Sequence, residues 1–333
     1  MKFLARTILM LAAGSLSAGV QAQLAPGQGD ALSWLQKVST AARQLSYSGT
    51  FVFQNGARSE TSRIVHVAAG GNQFEKLEVL DGSPREVIRH NDEVTCYLPE
   101  KRLVVIEQRS PRNSFPALLP ASLAGLGEYY QIRKGANVRV AGRESQVIKL
   151  EPRDGWRFGR QFWIDQENGL LLKADVLSTQ GESLESLVFT ELHIGVPAGA
   201  DAAKLSAASS ERVRDWAVRK PRVQELREES RWQFRSELPG FRRQSAMLRS
   251  SGRLGEGGAR DVKHWVYSDG LAAVSVFISP LTGPNEVVDG EMESMGAISV
   301  IKRVIDGHKV VVMGDASPTA IRHFAAGIGV RSK

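Results

Sequence analysis

The chain has one cysteine, Cys96, in 333 residues. No intrachain disulfide can form, so an exported form must be held by packing alone, and the chain is long enough for that. Cys96 lies in the apolar run VTCYL (94–98), which suits a buried, inert thiol better than a nucleophile. Catalytic signatures are missing too: there is no GxSxG, HExxH, P-loop or CxxC pattern. GEGGAR (255–260) lacks the third glycine and the strand-to-helix setting of a dinucleotide loop, and reads as a turn. The histidines at 66, 90, 193, 264, 308 and 323 are scattered, with no pair at metal-ligand spacing. Asp165 and Glu167 are close, but at a hairpin tip with nothing to hold a substrate against them. These absences argue against an enzyme and against any metal or cofactor, and leave binding as the function class. Long apolar runs are scarce as well: none reaches the roughly 20 residues that span a bilayer.

What is present begins with a leader. Lys2 and Arg6 flank the start of an apolar stretch, Thr7 to Leu16, and Val20-Gln21-Ala22 offers small residues where a signal peptidase reads. This predicts a secretory signal peptide over 1–22, cleaved after Ala22. No cysteine follows the cut, so a lipid-anchored form is not expected.

The formal net charge is +7, and the excess is local. Residues 212–253 hold twelve basic side chains, eleven of them arginine, against five acidic ones. Arginine grips carboxylates and phosphates as a planar fork. An exported protein rarely meets nucleic acid, so the expected anionic partners are lipid headgroups, lipopolysaccharide phosphates or an acidic polypeptide. A competing reading stays open: RVQELREESR (222–231) sets opposite charges three and four apart, as in a solvated, salt-bridged helix.

Periodicity divides the rest. DALSWLQKVSTAARQL (30–45) predicts a helix capped by Asp30, with Leu35, Val38, Ala42 and Leu45 on one stripe. Strands then alternate with turn signals: SGTFVFQ (48–54) and SRIVHVA (62–68) flank Asn55-Gly56, and FEKLEVL, REVIR, EVTCYLP and RLVVIEQ follow. PALLPASLAGLGEYYQI (116–132) is apolar and proline-broken, and is expected to cover one sheet face as a short helix or loop. VRVAGRESQVIKLEP (138–152) resumes the strands, and FWID, LLLKADVLS and SLVFTELHIG form a meander. In its middle strand Leu170, Leu172, Ala174 and Val176 are expected on one face. VPAGADAAKLSAASS (196–210) reads as a linker. Beyond it, strands SRWQFRS and FRRQSAMLRS, two hairpins turning at Ser268-Asp269-Gly270 and Asp306-Gly307, and a helix SPTAIRHFAAGIG make a second unit. Ser317 caps that helix, Pro318 starts it, and Ile321, Phe324, Ala325 and Ile328 face its sheet.

The sheet of the first unit is apolar on both faces. Phe51 and Phe53 share one face of their strand. In RLVVIEQ, Val104 and Ile106 take one face, Leu103 and Val105 the other. That surface must be buried against something: helices, a covering loop, or a lipid chain in a trough.

SYSGTFVFQNG (46–56), LEVLDGSPREVIRHNDEVTCYLPEKR (77–102), the run from Val138 to Gly195 and HWVYSDGLAAVSVFI (264–278) closely resemble the sigma-E factor regulatory protein family RseB, called MucB in pseudomonads. The likeness runs from about residue 30 to 325, in family order. It implies an α+β protein. A large, unclosed antiparallel half-barrel with covering helices, similar to LolA and LolB, is followed by a smaller mixed sheet and helix domain. The implied boundaries are 23–198 for the large domain, 199–224 for the linker and 225–333 for the small domain. The implied role is periplasmic and regulatory. Such a protein binds the periplasmic domain of a membrane-spanning anti-sigma factor of the RseA/MucA type and shields it from the site-one protease. Lipopolysaccharide or a related lipid releases it. A lipid favouring a domain arrangement that cannot hold the partner would make the two ligands antagonistic.

On that basis the lipid-facing candidates are Phe51, Phe53, Leu77, Val104, Ile106, Leu119, Phe162, Leu172 and Phe189, each equally explicable as core. The candidates for the anti-sigma contact are Arg219, Arg222, Arg231, Trp232, Phe234, Tyr267 and Phe277, with core packing competing for Trp232 and Phe277. The alternative function is a periplasmic lipoprotein or lipid carrier, and a hydrolase of envelope lipids is a third. Self-association is left open.

Overall fold

The computed structural model describes residues 28–108, 115–120, 122–195, 213–226, 231–235, 238–251, 260–281 and 290–331. The expected leader, the linker sequence 196–210 and most of GEGGAR lie outside these residues. Helix α1 (Gln28–Gln44) opens the described chain. It begins two residues before Asp30, so that carboxylate sits in the first turn, where it favours the helix dipole. An antiparallel meander follows: β1 (Tyr47–Asn55), β2 (Arg58–Ala69), β3 (Asn72–Val79), β4 (Glu86–His90), β5 (Glu93–Leu98) and β6 (Leu103–Gln108). After a short α2 (Leu126–Tyr129) comes a second meander, β7 (Tyr130–Val140), β8 (Arg143–Pro152), β9 (Gly159–Asp165), β10 (Leu171–Leu177) and β11 (Ser183–Ile194). Strand β11 returns to pair with β1, and the two meanders fuse into one unclosed sheet.

The inner face of that sheet holds the main core. Leu35, Val38 and Ala42 of α1 pack with Tyr47, Phe51, Ile64, Ile148, Leu150, Phe162, Ile164 and Phe189, as the helix stripe and strand alternation require. The covering segment adds Phe115, Leu119 and Leu126. It is tied to α1, where Ser39 Oγ donates to the Pro120 carbonyl at 2.9 Å.

Leu172 departs from the expected alternation. The register of β10 on β9 shifts between Leu171 and Lys173, a bulge that turns Leu172 away from Leu171 and Ala174. It packs with Val140, Val147 and Trp163, and Trp163 faces opposite Phe162 by alternation.

The linker is part of both sheets. Strand β12 (Ala217–Arg219) pairs in parallel with β6 and forms one end of the large sheet, whose order is β12-β6-β5-β4-β3-β2-β1-β11-β10-β9-β8-β7. Strand β13 (Val223–Glu225) is already the edge of the second sheet. These three residues are therefore extended, and the salt-bridged helix reading fails there because main-chain pairing with the small domain claims them.

The small domain continues with β14 (Trp232–Phe234), β15 (Arg242–Ser251), β16 (Arg260–Ser268), β17 (Ala273–Pro280), β18 (Met292–Met295), β19 (Ile298–Ile305), β20 (His308–Gly314), α3 (Pro318–Gly327) and β21 (Ile328–Val330). The seven-stranded antiparallel sheet runs β13-β15-β16-β17-β20-β19-β18, and β14 pairs with β21. Ser317 Oγ accepts the Ala320 N–H at 3.2 Å, the expected cap, and Ile321, Phe324, Ala325 and Ile328 are buried against the sheet. No helix among the described residues is long and apolar enough to cross a membrane.

Candidate functional site

The two domains meet through the loop 153–158 between β8 and β9. Its sequence RDGWRF puts two polar turns around two large aromatics. Trp156 inserts toward the small-domain core and lies 5.2 Å from the His323 ring. The Arg157 side chain is fully buried. Its Nε donates to Asp269 Oδ2, 2.5 Å away in the β16–β17 turn, and that carboxylate is equally buried. The same guanidinium donates to Asp154 and to the Pro239 carbonyl. It lies over the rings of Tyr129 and Phe241, 4.5 and 4.9 Å from their centroids. Tyr130 Oη donates to Asp269 Oδ2 at 3.1 Å; burial, then the Asp269 charge, push its hydroxyl well above the usual range. The Arg157 guanidinium, the Asp269 carboxylate and the Tyr130 hydroxyl all have partners, which is the condition for a buried ion pair to be tolerated.

Three more contacts extend the joint. Arg160 pairs with Asp315 at 2.6 Å, and Ser317 Oγ donates to the Gly155 carbonyl at 2.7 Å. Glu185 Oε1 accepts from Asn55 Nδ2 at 3.0 Å and from the Ala297 N–H at 3.2 Å across the joint. Burial raises the Glu185 carboxyl above the ordinary carboxylate value, against the pull of the Ala297 hydrogen bond and of Arg160. Phe158, Val176 and Ala297 close the apolar part. None of these residues was expected from sequence. Asp269 was legible only as a turn residue, and an arginine in a Gly-containing loop reads as solvent-exposed.

The second feature is the strap 213–226 joining the domains. Val213 and Trp216 cover the cluster Phe74, Ile88, Tyr97 and Val104. The strap is otherwise mostly exposed, including Val218 (61%) and Val223 (39%). Where it leaves β6, a notch of about 330 Å³ opens between Glu93, Ile106 and Gln108 on one side and Lys220, Pro221 and Val223 on the other.

The lipid-facing candidates separate. Phe51, Leu119, Phe162 and Phe189 share the inner core, with Leu77 packed against it. Phe115 sits between Phe51 and Phe189, its ring 5.2 and 4.9 Å from theirs, so this stretch of the concave face is filled by the protein's own side chains. Val104 and Ile106 belong to the separate cluster under the strap, Leu172 faces the other side, and Phe53 is half-buried outside these clusters.

The partner-contact candidates also separate. Arg219 and Arg222 are on the strap. Arg231 pairs with Asp306 at 2.9 Å. Trp232 and Tyr267 are buried in the small-domain core, where core packing accounts for both. Phe234 stacks on Phe324 at 4.7 Å, half-buried against that core. Phe277 stacks on His264 at 4.2 Å, on the sheet face opposite Val276 and Ile278.

Comparison with known proteins covers both domains. Residues 30–210 match the model of the MucB/RseB N-terminal domain, and residues 226–329 that of the MucB/RseB C-terminal domain. The sigma factor AlgU regulatory protein MucB of Pseudomonas aeruginosa is 30% identical over 316 residues, 93% of this chain and 92% of that one. The sigma-E factor regulatory protein RseB of Escherichia coli is 24% identical over 322 residues, 96% of each chain. Among solved structures, the P. aeruginosa MucA/MucB complex matches with a TM-score of 0.69 and 28% identity, over 91% of this chain and all of that chain. MucB bound to MucA(peri) matches with a TM-score of 0.67 at 26% identity. With both domain models matched in order and a 30% identical relative covered almost end to end, the chain belongs to the MucB/RseB family.

Proposed function

We propose that this chain is a periplasmic negative regulator of a sigma-E-type envelope stress response. In this reading it binds the periplasmic domain of a transmembrane anti-sigma factor, shields that domain from site-one proteolysis, and lets go when a lipid of the lipopolysaccharide type binds. No catalytic step is involved. The observation that carries the reading is the match to MucB in its complexes with MucA, which extends over both domains and the segment between them. The geometry agrees with it. The buried contacts of the joint hold the two sheets together, and the cationic strap that links the domains is mostly exposed to a polypeptide.

The joint also constrains release. A lipid that acts by rearranging the domains has to separate Arg157 from Asp269, at a cost equal to the pair's attraction and hydrogen bonds less the hydration that the two charges regain. The lipid's preference for the rearranged state must exceed that cost. Entry of an acyl chain among Phe51, Phe115 and Phe189 would likewise require the Leu119 segment to move. The carrier reading fares worse, because a carrier needs an accessible trough and has little use for a second domain.

The test is a cleavage assay of the cognate anti-sigma factor with purified site-one protease. Adding the full mature chain is expected to slow cleavage, and lipopolysaccharide to restore it. Cleavage at an unchanged rate would reject the reading, and delivery of a bound lipid to an acceptor without protection would favour the carrier.

A further inference from the structure

Edge strands in natural sheets are usually blunted by cations, proline, a bulge or a cover, because their open main chain invites pairing. Edge strand β7 of the large sheet follows this rule: it carries Arg133, Lys134 and Arg139, and its register shifts between Lys134 and Asn137. Strand β18, MESM, is an edge of the small sheet and has neither proline nor cation. It pairs with β19 without a shift, in the register Met292↔Ile301, Glu293↔Val300, Ser294↔Ser299 and Met295↔Ile298. The two-residue turn Gly296-Ala297 makes Met295 and Ile298 a hydrogen-bonded pair. Antiparallel alternation then bonds Glu293 to Val300 and turns the N–H and C=O of Met292 and Ser294 to the open side. Those outward groups have no partner among the described residues, and Glu293, Ser294 and Met295 are exposed.

The side chains choose the occupant. The edge's own charges are acidic: Glu293 within the strand and exposed Glu291 just before it. Glu293 meets Lys302 at 2.8 Å, but at the surface, where water and salt weaken the pair. A second copy pairing through Met292 and Ser294 would set Glu293 directly across from its own counterpart, and like charges so placed destabilise a sheet. A strand bearing a cation there is favoured instead. On the other face Met292 packs against the small-domain core, so an apolar residue fits opposite it, and methionine adapts to varied shapes. The hairpin is also tied to the large domain. Its Ala297 N–H donates to Glu185, Gly296 lies tight against the Asn55 side chain, and Arg58 Nη1 donates to Met295 Sδ at 3.3 Å. A strand added here is therefore held where the two domains meet.

We propose that β18 is a docking edge for an extended segment of the partner polypeptide in which apolar and basic residues alternate. This deepens the regulatory reading and rests on it. The segment pairs with the outward main chain of Met292 and Ser294. It sets a lysine or arginine against Glu293 and Glu291, and an apolar side chain against Met292. This is strand addition, in which main-chain bonds supply affinity and flanking side chains supply selectivity.

The test titrates the full mature chain with the purified periplasmic domain of its cognate anti-sigma factor, by calorimetry and by amide hydrogen exchange read residue by residue. In the wild type, saturating partner is expected to slow exchange of the Met292 and Ser294 amides at least about tenfold. Ser294→Pro removes one outward N–H, leaves the β19 bonds and all charges in place, and is expected to weaken binding about 2–10-fold. Ser294→Ala keeps that N–H and should bind as the wild type does. The reversal E291K/E293K is expected to weaken binding by at least about tenfold, and by less at high salt. Melting of each variant should match the wild type; should Ser294→Pro misfold, the wild-type exchange decides. If the wild type binds and both amides exchange as before, the docking edge is wrong and the regulatory reading stands. If the reversal weakens binding while the amides stay unprotected, the carboxylates act without strand pairing, and the inference fails. If the amides are protected without partner, and more so at higher protein concentration, a second copy takes the edge and the inference fails. If the wild type does not bind, the regulatory reading fails, and this inference with it.

Discussion

Two arginine-bearing regions join the domains and use the same side chain in opposite ways. At the joint, Arg157 is wholly buried, holds two carboxylates and a carbonyl, and lies against aromatic faces. On the strap, Arg222 is exposed and Arg219 half-buried, and neither holds a partner among the described residues. Burial decides the difference. A charge taken out of water must be matched inside the protein, which fixes geometry. A charge left in water costs little and stays available to an external anion. Arginine content alone therefore does not mark a binding surface.

The sharpest way to break this comparison is to delete one cation from each region. Arg157→Met leaves Asp269 buried without its partner and is expected to cost about 3–5 kcal/mol in urea unfolding. Arg219→Met is expected to change stability by less than about 0.5 kcal/mol. Equal losses at the two positions would mean that the joint and the strap are energetically alike.

The pH dependence of the joint gives a smaller effect with a definite sign. Glu185 has a raised folded-state value because it is buried, and it faces Arg160, Asp315, Asn55 and the Ala297 N–H. A group of this kind contributes stability that is complete below its unfolded value and fades as pH rises through the folded one. Glu185→Gln should therefore flatten the decline in melting temperature between mildly acidic and neutral pH. His66 works in the other direction over a neighbouring range. Burial lowers its value, so its contribution is present above the ordinary histidine range and is lost as pH falls through the folded value. A Glu185→Gln protein with the same acid-to-neutral slope as wild type would remove the carboxyl from the joint's pH response.

The same contrast explains what could be read from the sequence. Hairpins announce themselves through local chemistry: Asn55-Gly56, Ser268-Asp269-Gly270 and Asp306-Gly307 all turn where expected, with positive φ at Gly56, Gly270, Asp306 and Gly307. The capped α3 and the inner stripe of α1 were equally local. The Leu172 bulge was not, because it depends on how β10 registers on β9. The joint was illegible because Arg157 and Asp269 lie 112 residues apart and neither position carries a mark of burial. Trp232 and Tyr267 were ambiguous for a related reason: large aromatics serve cores and interfaces alike, and only the packed neighbours decide, Phe234 and Phe324 for Tyr267 and His308 for Trp232. The strap was seen as a linker, but its pairing with both sheets is long-range information.

Arg231 and Asp306 sharpen the comparison at its weak end. They form an ion pair at 2.9 Å, as short as many buried ones, yet both side chains are 52% exposed. If burial rather than distance sets the value of a charge pair, this one behaves like the strap and not like the joint. Arg231→Ala should then cost less than about 1 kcal/mol, part of it from lost packing where the guanidinium lies over the Trp232 ring. Asp306 has a positive φ, which Asn also tolerates, so Asp306→Asn removes the charge without straining the turn. A double-mutant cycle of Arg231→Ala with Asp306→Asn isolates the pair from the turn and from the tryptophan. The expected coupling is a few tenths of a kcal/mol and shrinks with added salt. A coupling as large as the Arg157 loss would show that contact distance, not burial, sets how tightly charges bind these domains together.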